Sequence, residues 1–438
     1  MATGSGPAAG KTGDDTPTVG IVGAGISGLA LTHFLEEQGV QTLTFESAAR
    51  PGGTIQSREI DGRIVELGPQ RLRLAGPVKS LLDDLDLTDD LQEGNTNQPL
   101  FIYHDEAFRV APLSIREALT TNLLSWRGKL RVLAEPFTDG PKSGESVEAF
   151  LTRKFGREAA HRLFAPLYTG LYGTAADDML VEYSLGKALE RHGIEGSILK
   201  AVAPYALKGR DPPPIVTFEE GLERLPAALA DRHADSIEFS TPVTAVEPDG
   251  NGYEIITDSD RYSVDAIAMT TPAPTAARLL KPVDPTLAGT LEEFNYNPII
   301  MVHLAADGDI VGHGCQILPE AGYTTLGMTW NASMLDRDDV YTAYLGGGRD
   351  EGLLERDDEE IGAIAAREFE SLLGAHATVL NVHRWEPGMP AYDRSWSALD
   401  RLDPPADIEF VTNYTDRAGI IGRITDAKGA AERLVDGE

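Results

Sequence analysis

The chain has 438 residues, 69 Asp and Glu against 38 Lys and Arg, a formal net charge of −31 and one cysteine, Cys315. Single cores stop growing at roughly 250–300 residues, so two or more lobes are expected; the acidic balance speaks against nucleic acid and against electrostatic attachment to anionic membrane. The lone cysteine excludes an internal disulfide and a cysteine-based metal cluster, and it reads as a small buried apolar residue. Acid is spread along the chain and Arg outnumbers Lys, which suggests a salt-adapted, cytoplasmic protein with a hydrated acidic skin. No apolar run approaches the ~18 residues of a spanning helix.

Residues 1–17 are rich in Gly, Ala, Thr, Pro and Asp with no apolar core, and read as a disordered tail. From Thr18 the sequence is a short apolar strand, the turn Gly23-x-Gly25-x-x-Gly28, an amphipathic helix and a second strand, 40–46, ending at Glu46. Each glycine has a mechanical task. Gly23 permits the tight turn, Gly25 lets backbone approach a pyrophosphate, and Gly28 lets the helix pack closely on the sheet. Phosphates then sit at the helix N-terminus, and Glu46, 18 residues after Gly28, is placed to bind a ribose hydroxyl. A second glycine pair follows in Arg50-Pro-Gly52-Gly53, then Glu66-Leu-Gly68-Pro69.

Helical spacing follows at 77–87, and a hairpin at 100–103 and 107–110. The next hundred residues read as helical, among them an apolar stretch at 113–137 and a cap-like Ser146 before Val147, Phe150, Leu151 and Phe155. Pro212-Pro-Pro214 is a stiff break. Strands are expected at 215–218, 237–241, 243–248, 253–257, 262–264 and 266–271, with a helix beginning at 222–229. A second sheet is expected from 294–305, 324–330 and 340–345, followed by a helix at 361–373. The strand 408–412 leads through Gly419 and Gly422 to a helix at 426–434.

Together, Gly23-x-Gly25-x-x-Gly28, Glu46, Arg50-x-Gly52-Gly53 and Glu66-Leu-Gly-Pro69 resemble the FAD-dependent flavoprotein amine oxidase superfamily, and within it the porphyrinogen oxidases. Glu145–Phe150, Pro166–Gly173, Thr217–Pro226 and Met389–Tyr392 match similar runs in the same order. The resemblance implies an α/β and α+β architecture: a Rossmann-like FAD-binding domain, an inserted helical lobe and a second, mixed-sheet substrate domain. The FAD-binding domain would comprise residues 18–76, 215–285 and 386–438; the mainly helical lobe with its short hairpin, 77–214; the substrate domain, 286–385.

Carried over residue by residue, the resemblance implies FAD contacts at Gly23, Ala24, Gly25, Ile26, Ser27, Gly28, Glu46, Ser47, Arg50, Gly52, Gly53, Gly68, Val243 and Gly422. Glu46 would hold the adenosine ribose, the Val243 backbone the adenine, and Gly52 and Gly53 the ribityl chain. Arg73 matches an arginine that meets a substrate propionate, with Arg71 as a lesser alternative, and Gly173 a backbone carbonyl that accepts a pyrrole N–H. The C-terminal run departs from the family: Asn413-Tyr414 is kept, but the following stretch is longer and lacks the usual Cys.

The reaction implied is repeated hydride removal from a porphyrinogen, a small anionic substrate, in tetrapyrrole biosynthesis, with oxygen or a quinone as electron acceptor. The cofactor carries the difficult step, so no side-chain catalytic base is required. His33, His161 and His303 lack metal-ligand spacing, and no metal is expected. The stretch 113–137 is similar to the part of the family that rests on membrane, although its apolar stripe also suits a core. Two other readings share the fold: a carotenoid desaturase or amine oxidase, which in the carotenoid case has no use for Arg73, and a non-catalytic GDP-dissociation-inhibitor-type protein, which the intact glycines and Glu46 oppose.

Overall fold

The computed structural model describes residues 17–112, 115–166, 168, 173–201, 203, 213–308, 310–416 and 418–436. Strand β1 (Thr18–Val22), helix α1 (Ile26–Glu36) and strand β2 (Gln41–Phe45) form the opening β-α-β unit. The run Val19, Ile21 and Val22 is buried on both sides, as expected for the centre of a parallel sheet. That sheet has five strands, in the order Ile237–Glu238, β2, β1, Ala266–Met269 and Ile408–Phe410, all parallel. Its members come from three distant stretches, so the chain leaves this domain twice and returns twice.

One face of the sheet carries α1 and the helix Ile420–Asp436 in a shared apolar core. The other carries an antiparallel three-stranded sheet, Val243–Asp249, Gly252–Thr257 and Arg261–Val264. The two layers touch so closely at Gly20 that an added Cβ would lie 2.3 Å from Ile255 Cδ1.

The second large sheet has seven strands, in the order Ala377–Pro390, Tyr296–Ala306, Val340–Gly346, Gly327–Thr329, Gly314–Ile317, Leu100–His104 and Ala107–Val110. The hairpin at 100–110 is thus part of this sheet, joined through a parallel pairing with Gly314–Ile317. The strand Ala377–Pro390 runs straight through the expected break at 385/386. Helix Asp358–Leu373 covers one face, with Phe369 edge-on to Tyr341 at 5.0 Å. Its ends follow from local chemistry: Asp357 accepts from Glu360 N at 2.8 Å, and Gly374 closes the C-terminus in the left-handed region.

Four expected elements differ. The strand expected at 237–241 stops at Glu238, because Ser240 turns at φ 52° and the N–H groups of Ser240 and Thr241 bond Ala48 and Glu46 carbonyls. The strand expected at 324–330 shrinks to Gly327–Thr329, because the Glu368 carboxylate takes the N–H groups of Thr324 and Thr325. The helix expected at 426–434 spans Ile420–Asp436, so Gly422 lies inside its first turn. The apolar stretch 113–137 begins outside the described residues. Within them it is broken: Ile115–Thr120, then Trp126–Leu133, restarted where Ser125 accepts from Gly128 N at 3.1 Å.

Candidate functional site: a dinucleotide cradle between two domains

The two glycine turns, 24 residues apart in sequence between Gly28 and Gly52, form one surface. Gly52 N donates to Ala24 O at 2.8 Å, and Gly25 and Gly52 pair as a short parallel bridge. Gly23 takes φ +108°, a conformation that L side chains avoid, and its N–H bonds Phe45 O at the end of β2. Gly28 is required by contact: a Cβ there would lie 1.9 Å from Gly23 O.

Ala24, Ile26 and Ser27 are buried between these turns and the sheet. Helix α1 begins with no side-chain cap, and its first internal bond is Leu29 N to Gly25 O. An uncapped N-terminus of this kind leaves backbone N–H groups aimed outward, with the positive end of the helix dipole behind them. This is the donor set that a diphosphate needs. At Gly53, φ is +58° and a Cβ would approach Gly25 Cα to 3.2 Å, so side chains on either turn would fill the gap between them.

Glu46 is held in place beside the turn. One carboxylate oxygen accepts from Ala24 N at 2.8 Å; the other accepts from Ala48 N at 2.8 Å and Ser47 Oγ at 3.2 Å. Arg50 does not point away; its guanidinium donates to Pro51 O and Gly53 O, both at 2.9 Å, and ties down the second turn. Val243 starts its strand just after the Ser240–Thr241 segment that is bonded to Glu46 and Ala48, which puts it on the same side of the cradle. Gly68 serves the packing of that turn: a Cβ would lie 1.9 Å from Thr54 O.

The run Glu66–Gln70 is gripped by the seven-stranded sheet and the short helix Asn331–Leu335. His303 Nε2 donates to Glu66 O at 2.8 Å, Trp385 Nε1 to Leu67 O at 2.5 Å, and Asn331 Nδ2 to Gln70 Oε1 at 2.7 Å. The buried Glu66 carboxyl accepts from Ser57 Oγ at 2.7 Å and Leu222 N at 3.0 Å, with Arg337 at 4.0 Å. Burial outweighs those contacts and pushes Glu66 up to about 7. Burial also pushes the His303 imidazole down to about 4. Asn331, Arg337 and Trp385 carry no signal in the sequence, where His303 is noted only for its lack of metal-ligand spacing, because each acts across a separation of more than 230 residues, apart from Arg337's nearer bonds to Thr217 and Glu219. No local motif signals them.

Arg73 lies in the two-residue strand Leu72–Arg73, paired with Ile215, and donates to Pro213 O at 2.9 Å. Gly173 sits on the opposite lobe. Its carbonyl accepts from Gly348 N at 2.8 Å and from Asn297 Nδ2 at 3.3 Å, so both lone pairs are engaged within the protein. A pyrrole N–H would have to displace the longer Asn297 contact. At the C-terminal end, Tyr414 is buried among Phe294, Phe410 and Arg423, and Gly422 is buried one residue before that arginine. Among the described residues no group of three or more His, Cys, Asp and Glu is arranged to hold a metal.

A parallel-sheet cradle facing a second sheet across a clamped junction defines a two-domain nucleotide-dependent enzyme architecture. Residues 26–434 match the family of flavin containing amine oxidoreductases, and the chain belongs to that family. It is an FAD-dependent oxidoreductase, and the cradle's residues fit that cofactor at its adenosine and diphosphate end. Among curated relatives it is similar to the chloroplastic protoporphyrinogen oxidase of Oryza sativa subsp. japonica, 28% identical over 419 residues, covering 85% of this chain and 78% of the relative. It is also similar to the coproporphyrinogen III oxidase of Mycobacterium bovis, 26% identical over 447 residues, covering 95% and 96%. A solved structure from Exiguobacterium sp., provisionally named a protoporphyrinogen oxidase, shares the fold with a TM-score of 0.78 at 21% identity, covering 97% of this chain and 100% of that one.

Proposed function

We propose that this enzyme oxidises a porphyrinogen to a porphyrin. The observation that carries the reading is the collinear match, across both domains and the helical lobe, to curated protoporphyrinogen and coproporphyrinogen oxidases. Bound FAD supplies the hydride acceptor. The chain's own residues then have three tasks: to hold the cofactor, to orient an anionic macrocycle and to exclude water.

The cradle performs the first through Gly23–Gly28, Glu46 and Gly52–Gly53. For the second, Arg73 offers a cation that a substrate propionate would meet, and Gly173 a carbonyl on the facing lobe. For the third, the His303, Trp385 and Asn331 bonds close the Glu66–Gln70 run onto the second domain. A strong side-chain base is not needed, and the histidines at the junction suit that: His303 and His313 are both bonded to backbone carbonyls and held below the ordinary imidazole value by burial.

Anaerobic addition of chemically reduced protoporphyrinogen and coproporphyrinogen to the yellow holoenzyme tests the reading. Flavin bleaching with growth of porphyrin fluorescence is expected from at least one. Bleaching by amines but by neither porphyrinogen would move the enzyme to the amine oxidase alternative. Reoxidation of the bleached enzyme by oxygen or by a quinone, the proposed acceptors, is read in the same cuvette.

The proposed location is cytoplasmic, in a salt-rich cell, with peripheral membrane contact. Among the described residues no helix is long and apolar enough to cross a membrane. Trp126, Leu130, Leu133 and Phe137 nevertheless form a stripe that is 66%, 57%, 51% and 91% exposed. The helix that carries most of it, Trp126–Leu133, holds Arg127, Lys129 and Arg131 and no acid. The local sign is therefore opposite to that of the whole chain, and it favours an anionic lipid surface. Flotation with vesicles containing anionic lipid should carry the wild type upward and leave a Trp126→Ser, Phe137→Ser variant at the bottom; equal flotation would remove the contact.

A further inference from the structure

Helix α1, whose first turn is the seat for the cofactor's diphosphate, ends in a chain of buried polar groups that neither cofactor nor substrate accounts for. His33, in its last turn, is fully enclosed, and its Nδ1 lies 3.1 Å from Nε2 of His233, the residue that closes helix Arg224–Arg232. The rings meet edge to face at 5.3 Å. A carboxylate stands at each end. Glu36 Oε2 lies 2.6 Å from His233 Nδ1, and Asp84 Oδ2, at the end of helix Pro77–Asp84, lies 3.8 Å from His33 Nε2. The order Glu36, His233, His33, Asp84 thus ties together the ends of three helices.

The Glu36 end is fixed. Burial alone would raise its carboxyl, but the bonds from Ser236, Thr42 and His233 prevail and hold it below the ordinary value. Thr42 Oγ1, at the start of β2, donates to Oε1 at 2.6 Å, and Oε2 therefore requires a hydrogen on His233 Nδ1.

The contact between the two rings holds a single hydrogen, which can be placed in two ways. With both imidazoles neutral, His33 Nδ1 is the donor, and His33 Nε2 is a bare lone pair turned toward the Asp84 carboxylate. That nitrogen is buried and has no hydrogen-bond partner. With one added proton, His233 donates from both nitrogens, to Glu36 and to His33 Nδ1, and His33 carries its own hydrogen on Nε2, where Asp84 can take it. Asp84 is half-exposed, so a rotation of its side chain closes the remaining gap. Every donor then meets an acceptor, and one cation lies between two carboxylates. A second proton would set two N–H groups against each other across 3.1 Å.

The surroundings agree with one proton and no more. Burial and the charge on His233 hold His33 below the ordinary imidazole value, against the pull of Glu37 and Asp84. The charged groups acting on the pair come from the end of α1, as Glu36 and Glu37, and from helix Pro77–Asp84, as Asp84. Helix Ile420–Asp436 meets α1 through apolar side chains, among them Ile424, Ala427 and Ala431.

We propose that His33 and His233 form a one-proton latch: on taking up a single proton the pair presents a donor to Asp84 and fastens helix Pro77–Asp84 to the far end of α1. Proton binding belongs to the fastened state, so the latch closes as pH falls and opens as pH rises. The packing behind the cofactor seat thereby responds to pH, whichever substrate the enzyme oxidises.

The FAD-loaded enzyme, isotope-labelled at its histidine nitrogens, tests the latch, because long-range proton–nitrogen correlation spectra separate the two neutral tautomers from imidazolium. The two signals are identified by their coupling across the shared hydrogen, or by their loss in His33→Gln and His233→Gln. Over about pH 8 to 5, where histidine changes charge, His233 should become imidazolium while His33 stays neutral and moves its hydrogen from Nδ1 to Nε2. Asp84→Asn, at a half-exposed position, should keep its flavin and shift this uptake to lower pH. Amide exchange across Pro77–Asp84 is compared between wild type and Asp84→Asn at each pH, so that intrinsic rates cancel. The protection of the wild type over the variant should grow roughly two- to fivefold as the proton enters, the range for one partly exposed ion pair. An imidazolium at His33, a His33 tautomer that does not change, or a protection ratio that is flat with pH overturns the latch.

Discussion

A methyl group at position 28 would collide with the Gly23 carbonyl, whereas one at position 25 would meet nothing nearer than Gly53 Cα at 4.0 Å. The two substitutions therefore separate stability from binding. Gly28→Ala should purify with little flavin and with a lowered melting temperature, because backbone must shift at the turn. Gly25→Ala should keep its apo melting temperature and lose flavin, because the new Cβ projects into the space between the two turns. The ratio of visible to ultraviolet absorbance and a thermal melt read both, and equal melting temperatures for the two variants would contradict the assignment.

Glu66 makes a pH-dependent prediction at the same scale. Its folded value, about 7, lies above the ordinary carboxyl value of 4.5, so the folded state holds a proton that the unfolded state has released. Its contribution to stability is present below about 4.5 and is lost as pH rises through 7, in total on the order of 3 kcal/mol. His303 acts in the opposite sense: with a folded value near 4, it loses stability as pH falls from 6.5 toward 4. Glu66→Gln removes the first effect alone. Between pH 5 and about 7.5 the stability of this variant should improve relative to wild type in urea melts. A constant difference across that range would refute the assignment.

At the scale of elements, the helical lobe is fastened by a buried ion pair. Lys154 Nζ lies 2.9 Å from Glu135 Oε1, with both side chains fully enclosed. Glu135 also accepts from Ser197 Oγ at 2.6 Å and Ile198 N at 2.9 Å, and Lys154 donates to Gly196 O at 2.7 Å. One pair thus binds helix Val147–Phe155, the turn Glu135–Phe137 and the segment at 196–199. Burial alone would raise the Glu135 carboxyl, but the bonds from Ser197, Lys154 and Ile198 prevail and hold it below the ordinary value. Lys154→Met leaves that carboxylate buried without its counter-ion and should cost about 3–5 kcal/mol; adding Glu135→Gln should return part of it. Additive losses in the double variant would show that the two residues act separately. The sequence placed a capped helix here, and Ser146 does accept from Ala149 N at 3.2 Å. It did not indicate that Lys154, in the middle of an amphipathic pattern, is one of the largest enclosed side chains.

For the whole molecule, the net charge of −31 is a self-repulsion that water and counter-ions must screen. The screening length falls from about 10 Å at ~0.1 M to about 3 Å at ~1 M salt. If the acidic composition is an adaptation to salt, the melting temperature of the holoenzyme should rise by several degrees between ~0.1 and ~2 M KCl, and activity with it. A flat or falling melting temperature would identify ordinary acidity. The local excess of base on Trp126–Leu133 runs against this background, so vesicle binding should weaken over the same range.

The opening cradle was legible because its logic is local: turn, helix start and acid lie within thirty residues, and each glycine answers to a backbone constraint that spacing reveals. The parallel sheet, the antiparallel layer and the second sheet were legible for a similar reason, since alternation and apolar runs record which faces are buried. Spacing could not show that Gly25 and Gly52 would be bridged, or that Glu66–Gln70 would be clamped by His303, Asn331 and Trp385. Nor could it distinguish Arg71 from Arg73. As residues they are alike; only the packing of the second domain sets the Arg71 guanidinium against Met334 while Arg73 reaches back to the Pro213 carbonyl.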